Sequence, residues 1–351
     1  MAFAIFAAQA LPAHRLALDT ITYPERLKVM SSNSPASGQH NGPIFIVGAP
    51  RSGTTMLQYR LRNHPRLSLP TGESHFFIPL YNNQASFGDL SRLENIRAVL
   101  QAMYTQSRDF LEEDLHGLKF DADNLAKQFH AEGRHTMPAI ISGLFEKNAQ
   151  GEGKARWGDK TPYYVMHIPK LLEWFPDAQI VHLIRDGRDV ALSLFGRQHD
   201  FGVYNAYFAA EYWESYVERG HALGKMLAPH QYFEMRYEDL LAKPEESMKT
   251  LCDFLGEAYS DTLFDTNSVE TPGKTPLVHQ PIKADNAGKW RTRMTPGQIQ
   301  AFESVAGNTL RQFGYELVTA GNPPSLPVKA AYRLHNRLLT AYWHRAKPKR
   351  Q

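Results

Sequence analysis

An apolar run that enters a glycine-bounded loop and then a helix-forming stretch occupies residues 44–55, which read IFIVGAPRSGTT. Gly48 and Gly53 hold the glycine positions of the phosphate-binding pattern G-x-x-x-x-G-K-[ST], and Thr55 holds its hydroxyl position. A loop of this kind presents backbone N–H groups and a helix N-terminus to an oxyanion. The segment therefore predicts a strand, an anion-binding turn and a helix in direct succession.

The loop departs from the pattern at one position, because Thr54 stands where the lysine is expected. Without the lysine that reaches the β- and γ-phosphates, hydrolysis of a nucleoside triphosphate is disfavoured. Arg51 supplies a cation inside the loop, and its planar guanidinium suits a phosphate or sulfate group. The loop predicts a site for a phosphate-like group but not for ATP turnover.

A second strand, turn and helix are predicted at residues 179–195, QIVHLIRDGRDVALSLF. Arg185 ends the strand, and Ser193 lies about two helical turns further on. A basic side chain at the carboxyl edge of a parallel strand faces the crevice in which α/β sheets bind ligands, and Ser193 can project toward the same anion. Two anion sites on one sheet indicate a ligand with two separated phosphate groups.

Strand and helix patterns alternate from residue 43 onward, which predicts an α/β fold with a mostly parallel sheet flanked by helices. We expect one domain over 43–320, within which 89–150 forms a helical insertion on the substrate side. Strands are predicted at 44–48, 66–69, 155–158, 179–184 and 231–237, and a long, aromatic-rich helix at 205–227. The aromatic side chains of that helix are interpreted as core packing.

Both ends of the chain lie outside this domain. Residues 1–42 are predicted to be a disordered leader, with Met30 as an alternative start and a signal peptide as the less favoured interpretation. Residues 321–351 are predicted to be a basic helical tail, and the stretch after Pro327 has no acidic residue. A solvated terminal helix is the favoured interpretation of the tail, and contact with an anionic membrane surface is the alternative.

Composition narrows the function classes. Lys plus Arg number 39 against 36 Asp plus Glu, a formal net charge of +3 that does not support nucleic-acid binding. Cys252 is the single cysteine, which rules out an intrachain disulfide and fits a reducing, cytoplasmic compartment. The sequence offers neither an HExxH nor a C-x-x-C pattern, and no metal is expected.

Taken together, these segments resemble the sulfotransferases that use 3′-phosphoadenosine-5′-phosphosulfate (PAPS), in particular their bacterial and Golgi-type branches. GAPRSGTTML is similar to the loop that holds the 5′-phosphosulfate, and Arg185 with Ser193 is similar to the 3′-phosphate site. The resemblance extends over residues 43–318 through GESHFF at 72–77, GDKTPYY at 158–164, RYEDLLAKPEESMKTLCDFLG at 236–256 and KADNAGKWRTRMTPGQIQAF at 283–302.

The resemblance implies a P-loop-like fold and a sulfuryl transfer from PAPS, without a metal, to a hydroxyl in preference to an amine. The products would be a sulfate ester and adenosine 3′,5′-bisphosphate. The residues that it implies as donor contacts are Arg51, Ser52, Gly53, Thr54, Thr55, Arg185, Ser193, Lys289, Trp290 and Arg291, with Lys283 in the same late loop.

Three residues are expected to carry the chemistry. The resemblance implies Glu73 as the base that takes the acceptor proton, and Lys160 as the cation that neutralises the leaving oxygen. His75 is the second candidate for the base, since in a strand it would face the same side as Glu73. A surface position for Glu73 and an ion pair between Lys160 and neighbouring Asp159 are the structural alternatives.

Other side chains are interpreted as structural. His182 is expected to be a core histidine, Cys252 a core residue, and Arg188 and Asp189 part of a helix N-terminus. Two other functions stay open on the sequence, a P-loop nucleotide kinase or GTPase and a non-catalytic nucleotide-binding protein. Among acceptors, a carbohydrate, a lipid, a natural product and a peptide tyrosine all stay open.

Overall fold

Five parallel strands organise the chain. The computed structural model describes residues 42–106, 118, 120–265 and 284–346. Its strands are β1 Ile44–Gly48, β2 Leu67–Ser68, β3 Arg156–Lys160, β4 Gln179–Ile184 and β5 Tyr232–Arg236. They stand in the order β2-β3-β1-β4-β5, and every neighbouring pair is parallel. The predicted α/β fold with a parallel sheet is confirmed. The predicted leader up to residue 41 and Lys283 lie outside the described residues.

Helices connect the strands and cover both faces of the sheet. In chain order they are α1 Thr54–Arg62, α2 Phe77–Asn83, α3 Leu93–Gln106, α4 Ala122–Ala131, α5 Met137–Gly151, α6 Ile168–Trp174, α7 Gly187–Phe195, α8 Gln198–Phe201, α9 Ala206–Gly224, α10 Tyr237–Ala242, α11 Pro244–Leu255, α12 Trp290–Arg293, α13 Pro296–Gln312 and α14 Leu326–Ala346. Short 3₁₀ turns occupy Gln84–Phe87, Pro162–His167, Asp261–Phe264 and Ala284–Asn286.

The apolar composition of β1 follows from burial on both sides. Ile44 and Ile46 pack into a core formed with α1 and α11, whereas Phe45 and Val47 pack into a larger core that includes α9 and α13. Because successive side chains of a strand point to opposite faces, a strand covered on both faces must be apolar throughout. This explains why the segment before the glycine loop reads as a continuous apolar run.

A cluster of aromatic rings anchors the start of α2 against the sheet. Phe77 lies 5.7 Å from Phe45 and 5.8 Å from Phe145, measured between ring centroids. Trp157 on β3 stacks on Phe145 at 4.7 Å. Edge-to-face and offset ring pairs of this kind are favourable beyond the area that they bury. The cluster fixes the chain immediately after Glu73.

Residues interpreted as structural occupy structural positions. His182 is fully buried on β4 and its Nδ1 lies 2.7 Å from the Tyr232 hydroxyl, and Cys252 is buried on α11. Arg188 is buried and pairs with Asp186 and with Glu303. These three predictions are confirmed.

Candidate active site

The carboxyl ends of three adjacent strands meet at one edge of the sheet. The glycine loop follows β1, Lys160 ends β3, and Arg185 follows β4. The register pairs Ile46 with Lys160 and Gly48 with Leu183, so these ends lie level with one another. Open α/β sheets bind ligands at such an edge, which places the candidate site here.

The loop after β1 has a backbone that suits few side chains. Gly48 has a φ of 151° and Gly53 one of 93°, and a Cβ at either position would lie 2.5 Å from a neighbour: the Leu183 carbonyl oxygen and the Tyr237 ring, respectively. Arg51 is left-handed with a φ of 74°, which costs a residue with a Cβ about 1–2 kcal/mol. The glycines therefore permit the loop to close tightly against β4 and α10.

The loop fits an anionic group. Helix α1 begins at Thr54 without a side-chain cap at Gly53 and without an acidic residue in its first turn. Its first N–H groups therefore have no side-chain acceptor from the cap. The Ser52 hydroxyl is fully buried and has no hydrogen-bond partner within the described ranges. An oxyanion in this loop would receive hydrogen bonds from both sources.

Arg51 links the loop to α7. Its Nε donates a hydrogen bond to the Ser193 hydroxyl at 2.9 Å. Burial lowers the pKa of Arg51 and the nearby Arg197 adds to this, whereas the Glu73 carboxylate raises it. Ser193, which sequence reasoning paired with Arg185, thus lies against Arg51.

Arg185 lies between the glycine loop and the late segment that contains α12. Its Nη2 donates to the Asn286 carbonyl oxygen at 2.8 Å, and its guanidinium lies 4.5 Å above the Tyr237 ring. Asp189 lies 3.8 Å from the same nitrogen, while Nε has no partner in the part of the chain that the structure describes. An Nη of Arg185 also donates to the Arg51 carbonyl oxygen at 3.4 Å. Arg185 and Arg51 are therefore neighbours on one edge of the sheet.

Asp189 holds the late segment in place, a role that sequence reasoning missed. Its carboxylate accepts the backbone N–H groups of Gly288 and Trp290 at 2.7 and 2.8 Å. Burial raises the pKa of Asp189 and Arg185 opposes that rise. Asp189 also lies in the first turn of α7, as predicted, and the cap of that helix is Asp186, whose side chain accepts from the Arg188 N–H. No local signal could have found this role, because Gly288 and Trp290 lie about a hundred residues further along the chain.

The three late residues expected near the nucleotide have different positions. Trp290 is buried, and the guanidiniums of Arg188 and Arg291 lie 3.6 Å and 4.5 Å from its ring centroid. Arg291 is exposed, and the Lys289 ammonium donates to the Asn286 side chain at 2.8 Å. The indole thus packs the segment onto the domain, whereas Lys289 is half-buried and Arg291 is exposed.

Glu73, Lys160 and His75 form one cluster beside the loop. The Lys160 ammonium donates to Glu73 Oε1 at 2.7 Å, and His75 Nε2 lies 3.1 Å from Glu73 Oε2. The Lys160 side chain is only 3% exposed, and that of Glu73 is 33% exposed. Burial raises the pKa of Glu73, but the charge of Lys160, followed by the contacts of His75, lowers it to well below its usual range. Glu73 is therefore a carboxylate in this arrangement.

The strand geometry assumed for His75 is wrong. β2 ends at Ser68, the chain runs without regular structure to Phe76, and His75 is left-handed with a φ of 50°. His75 reaches Glu73 through this turn rather than through strand periodicity. Left-handed residues are uncommon outside glycine and are maintained only where surrounding contacts hold them.

Thr161 and Tyr164 provide those contacts. The Ser74 N–H donates to Thr161 Oγ1 at 3.0 Å, and the Ser74 and Tyr164 hydroxyls lie 2.8 Å apart. The Phe77 N–H donates to the Tyr164 hydroxyl at 3.2 Å. Thr161 and Tyr164 both belong to the segment GDKTPYY, which also contains Lys160. One segment therefore provides Lys160 and holds the turn that carries Glu73.

Two tyrosines of α9 face the same cluster. The Tyr212 and Tyr216 hydroxyls lie 3.4 Å apart. Burial raises the pKa of both phenols, to about 12 for Tyr216, and the Glu73 carboxylate adds to the rise at each. Tyr207, Trp213 and Tyr216 are buried, as the core-packing interpretation of this helix predicted. That interpretation missed the proximity of the two hydroxyls to Glu73.

The described residues contain neither a metal-binding cluster nor a membrane-spanning helix. Across 42–106, 118, 120–265 and 284–346, no group of three His, Cys, Asp or Glu side chains is arranged to hold a metal ion. Over the same ranges, no helix combines the length and the apolar character needed to cross a bilayer.

A profile of the sulfotransferase family matches residues 43–261, which contain the glycine loop, the Glu73 cluster and Arg185. The chain belongs to the sulfotransferase family. Protein-tyrosine sulfotransferase 2 of Gallus gallus is one of its curated relatives. The two sequences are 25% identical over 80% of this chain and 71% of the relative. The Drosophila melanogaster protein-tyrosine sulfotransferase is also 25% identical, over 80% of this chain and 52% of the relative.

Solved structures place this family member on the same fold. The sulfotransferase domain from the curacin biosynthetic pathway aligns with a TM-score of 0.54 and 23% identity over 80% of this chain and all of that domain. The sulfotransferase domain of the Synechococcus PCC 7002 olefin synthase aligns with a TM-score of 0.51 and 24% identity, over 81% of this chain and all of that domain.

Proposed function

We propose that the protein transfers a sulfuryl group from PAPS to an acceptor hydroxyl, in preference to an amine, without a metal. The observation that carries the proposal is the pairing of Lys160 with Glu73 beside an uncapped glycine loop. A cation for the leaving group, a carboxylate for the acceptor proton and an anion site are the three parts that the reaction requires. A cytoplasmic location, supported by the single cysteine, belongs to the same proposal.

The donor would be held at two points. The residues proposed for the 5′-phosphosulfate are Arg51, Ser52, Gly53, Thr54 and Thr55, through the loop N–H groups, the guanidinium and the hydroxyls. Arg185 and Ser193 would hold the 3′-phosphate, with Lys289 and Arg291 on the late segment beside them. Trp290 would serve by packing that segment onto the domain.

Glu73 and Lys160 would divide the chemical step. Glu73 takes the hydroxyl proton as the acceptor oxygen forms its bond to sulfur. The bond from sulfur to the bridging phosphate oxygen breaks, and its electron pair leaves with adenosine 3′,5′-bisphosphate. Lys160 neutralises the charge on that oxygen. His75 supports the carboxylate through its contact at 3.1 Å.

Lys160 also sets the basicity of Glu73. Burial alone raises the pKa of Glu73, and the ammonium reverses that effect. As the ammonium turns toward the leaving oxygen, the carboxylate loses its partner and becomes a stronger base. Proton uptake and leaving-group neutralisation are thereby coupled through one ion pair.

The acceptor would approach past the two tyrosines of α9. Tyr212 is partly exposed and lies near Glu73, with its hydroxyl 3.4 Å from that of buried Tyr216, which suits an acceptor with both an apolar body and a hydroxyl. A carbohydrate, a lipid, a natural product and a peptide tyrosine remain the candidate classes. A protein-tyrosine sulfotransferase is among the relatives, and sulfotransferase domains of biosynthetic systems share the fold.

Calorimetric titration with adenosine 3′,5′-bisphosphate, beside ATP with Mg²⁺, tests the donor assignment. We expect metal-independent binding of the bisphosphate that weakens about tenfold or more in Arg185→Ala, because one charge-assisted contact is worth about 1.5–3 kcal/mol. Arg92→Ala is the matched control, since Arg92 is an exposed arginine that pairs with Glu94 away from the loop.

Two results would contradict the assignment. Preference for Mg-ATP would favour the nucleotide kinase or GTPase instead. Tight bisphosphate binding with no sulfate transfer from PAPS to any acceptor class would favour the non-catalytic binding protein. Release of the bisphosphate from PAPS in the presence of one acceptor class would identify the substrate.

A further inference from the structure

Helix α14, Leu326–Ala346, carries most of the exposed large apolar side chains of the described chain. Eight such side chains are exposed within the described residues, and six belong to this helix: Leu326, Val328, Leu334, Leu338, Tyr342 and Trp343. Leu334, Leu338 and Tyr342 are 56%, 60% and 62% exposed and follow one another at four-residue intervals. That spacing aligns them in one stripe along the helix.

The opposite face of α14 is fixed to the domain. Asn336 is buried, donates to the Gly202 carbonyl oxygen and accepts the Tyr204 N–H, both at 2.8 Å. Tyr332 stacks on Tyr207 of α9 at 5.2 Å. At about 100° per residue, Leu334 and Leu338 lie roughly opposite Asn336. The apolar stripe therefore points away from the protein.

Two of the four cations of α14 lie beside this outward stripe. Residues 326–346 contain Lys329, Arg333, Arg337 and Arg345 and no acidic residue, although the chain as a whole has 39 basic and 36 acidic residues. Arg333 is paired with Glu211. Arg337 and Arg345 are exposed and flank the stripe. Exposed apolar area and exposed cations thus coincide on one face.

We propose that α14 docks the protein on an anionic lipid surface, with Leu334, Leu338 and Tyr342 at the boundary between headgroups and acyl chains. An anionic bilayer accepts apolar side chains and cations side by side, which is the combination that this face presents. A second copy of the chain is a poorer occupant, because a symmetric contact through this face would bring the cations of both copies into one interface, and residues 326–346 contain no carboxylate to pair with them.

Vesicle flotation of the full-length protein tests the proposal, with phosphatidylcholine vesicles that contain or lack phosphatidylglycerol. We expect binding only to the vesicles with phosphatidylglycerol, and binding that falls as salt is added, because the cations contribute about fivefold each. One helix of this kind gives reversible rather than permanent attachment.

Two double variants separate this face from the rest of the surface. Arg337→Gln/Leu338→Gln removes an adjacent cation and apolar side chain from α14, and we expect its partition onto the anionic vesicles to fall about tenfold or more. Lys225→Gln/Met226→Gln removes an equivalent exposed pair outside α14, where Met226 is 53% exposed, and should stay within about twofold of the parent.

The proposal is overturned if the parent does not bind the anionic vesicles, or if both double variants bind as the parent does. Sedimentation without lipid provides a further outcome. A dimer that dissociates in Arg337→Gln/Leu338→Gln would assign the face to a second copy and overturn the lipid assignment. If the protein is a folded monomer and does not bind the vesicles, the lipid assignment is overturned, and an acidic protein surface becomes the favoured partner for α14. Bisphosphate binding serves as an independent check of folding in every variant.

Discussion

Glu73 is subject to two opposite influences at the scale of single residues. Burial favours its neutral form, and the ammonium of Lys160 at 2.7 Å favours the carboxylate and prevails. A carboxylate with a pKa below its usual range is a poor base toward an alcohol. Its proposed catalytic role therefore depends on Lys160 leaving it during the reaction.

Substitution of Glu73 by glutamine tests that role. Glu73→Gln keeps the size and one hydrogen-bond acceptor for Lys160 but cannot take a proton. We expect sulfate transfer to fall by about a thousandfold, within the usual range for loss of a general base. Bisphosphate affinity should remain within about threefold, because Glu73 is not among the proposed donor contacts.

The measurement is a turnover assay with PAPS beside calorimetry with the bisphosphate. Undiminished turnover of Glu73→Gln would remove this residue from the base role. His75→Ala then distinguishes the second candidate, since His75 contacts the Glu73 carboxylate at 3.1 Å.

At the scale of elements, the site is made by the meeting of two segments. The stretch between β2 and α2 carries Glu73, and the 3₁₀ turn Pro162–His167 after β3 holds it by way of Tyr164. The aromatic cluster below fixes Phe77 from the other side. A segment without regular structure is thus positioned by contacts at both of its ends.

Removal of the Tyr164 hydroxyl should loosen this segment. In Tyr164→Phe the Ser74 hydroxyl and the Phe77 N–H each lose a partner at 2.8 and 3.2 Å, a loss of about 1–3 kcal/mol. We expect kcat to fall about tenfold or more while bisphosphate affinity is unchanged. Tyr81→Phe on α2 is the matched control, because the Tyr81 hydroxyl bonds Glu173 at the surface. An equal effect of both substitutions on kcat would contradict the positioning role.

The glycine loop is also held by a neighbouring element. A methyl group at Gly53 would meet the Tyr237 ring of α10 at 2.5 Å and would have to tolerate a φ of 93°. Gly53→Ala should therefore lower the free energy of unfolding by about 2–4 kcal/mol and weaken bisphosphate binding.

Gly133→Ala separates the two causes. Gly133 has a φ of 70°, but nothing lies within 4 Å of the position of its Cβ, so this variant reports the backbone strain alone. Urea unfolding of both variants gives the comparison. If Gly53→Ala were no more destabilised than Gly133→Ala, the contact with Tyr237 would not be what requires a glycine.

At the scale of the whole molecule, α9 and α13 join the late part of the chain to the sheet, and their contact contains two carboxylates. The Thr309 hydroxyl lies 2.8 Å from Glu214 and 2.7 Å from Glu218. Burial raises the pKa of Glu214 to about 7, and the charge of Glu218 adds to the rise. The folded state therefore favours the neutral form of Glu214.

This raised pKa predicts how stability depends on pH. The unfolded chain releases the Glu214 proton at about pH 4.5 and the folded chain only at about pH 7, so stability falls as pH rises through this interval. Glu214→Gln cannot ionise, and its stability relative to the parent should rise between about pH 5 and pH 8 by on the order of 1–3 kcal/mol. Urea unfolding at both pH values measures this difference.

Glu245→Gln on α11 is the matched control, since Glu245 is exposed and pairs with Lys249. Its pH dependence should follow that of the parent. A Glu214→Gln protein with the same pH dependence as the parent would show that this carboxyl ionises normally in the folded state.

Much of the fold was predictable from local pattern. The strand before the glycine loop is apolar throughout because both of its faces are buried. The strand before Arg185 is buried at every position too, and its two polar residues, Gln179 and His182, have hydrogen-bond partners. Alternation of such strands with helices indicates parallel pairing, and parallel pairing brings the loop, Lys160 and Arg185 to one edge. The candidate edge and its cations therefore follow from the sequence.

The partners of those side chains did not follow from the sequence. Glu73 and Lys160 are 87 residues apart and pair at 2.7 Å, and Ser193 contacts Arg51 across 142 residues. His75 approaches Glu73 through a left-handed turn that strand periodicity could not indicate. Asp189 and Tyr164 hold site segments by hydrogen bonds to backbone groups.

By itself the sequence determined the order of elements, the anion-binding loop and the types of charge at the sheet edge, because these depend on residues close together in the chain. Only the tertiary structure decided which carboxylate meets which cation and which segment holds the Glu73 turn. It also decided that the basic helix α14 turns an apolar stripe outward. Hydrogen bonds and ion pairs act over about 3 Å, so their partners are fixed only when distant segments pack together.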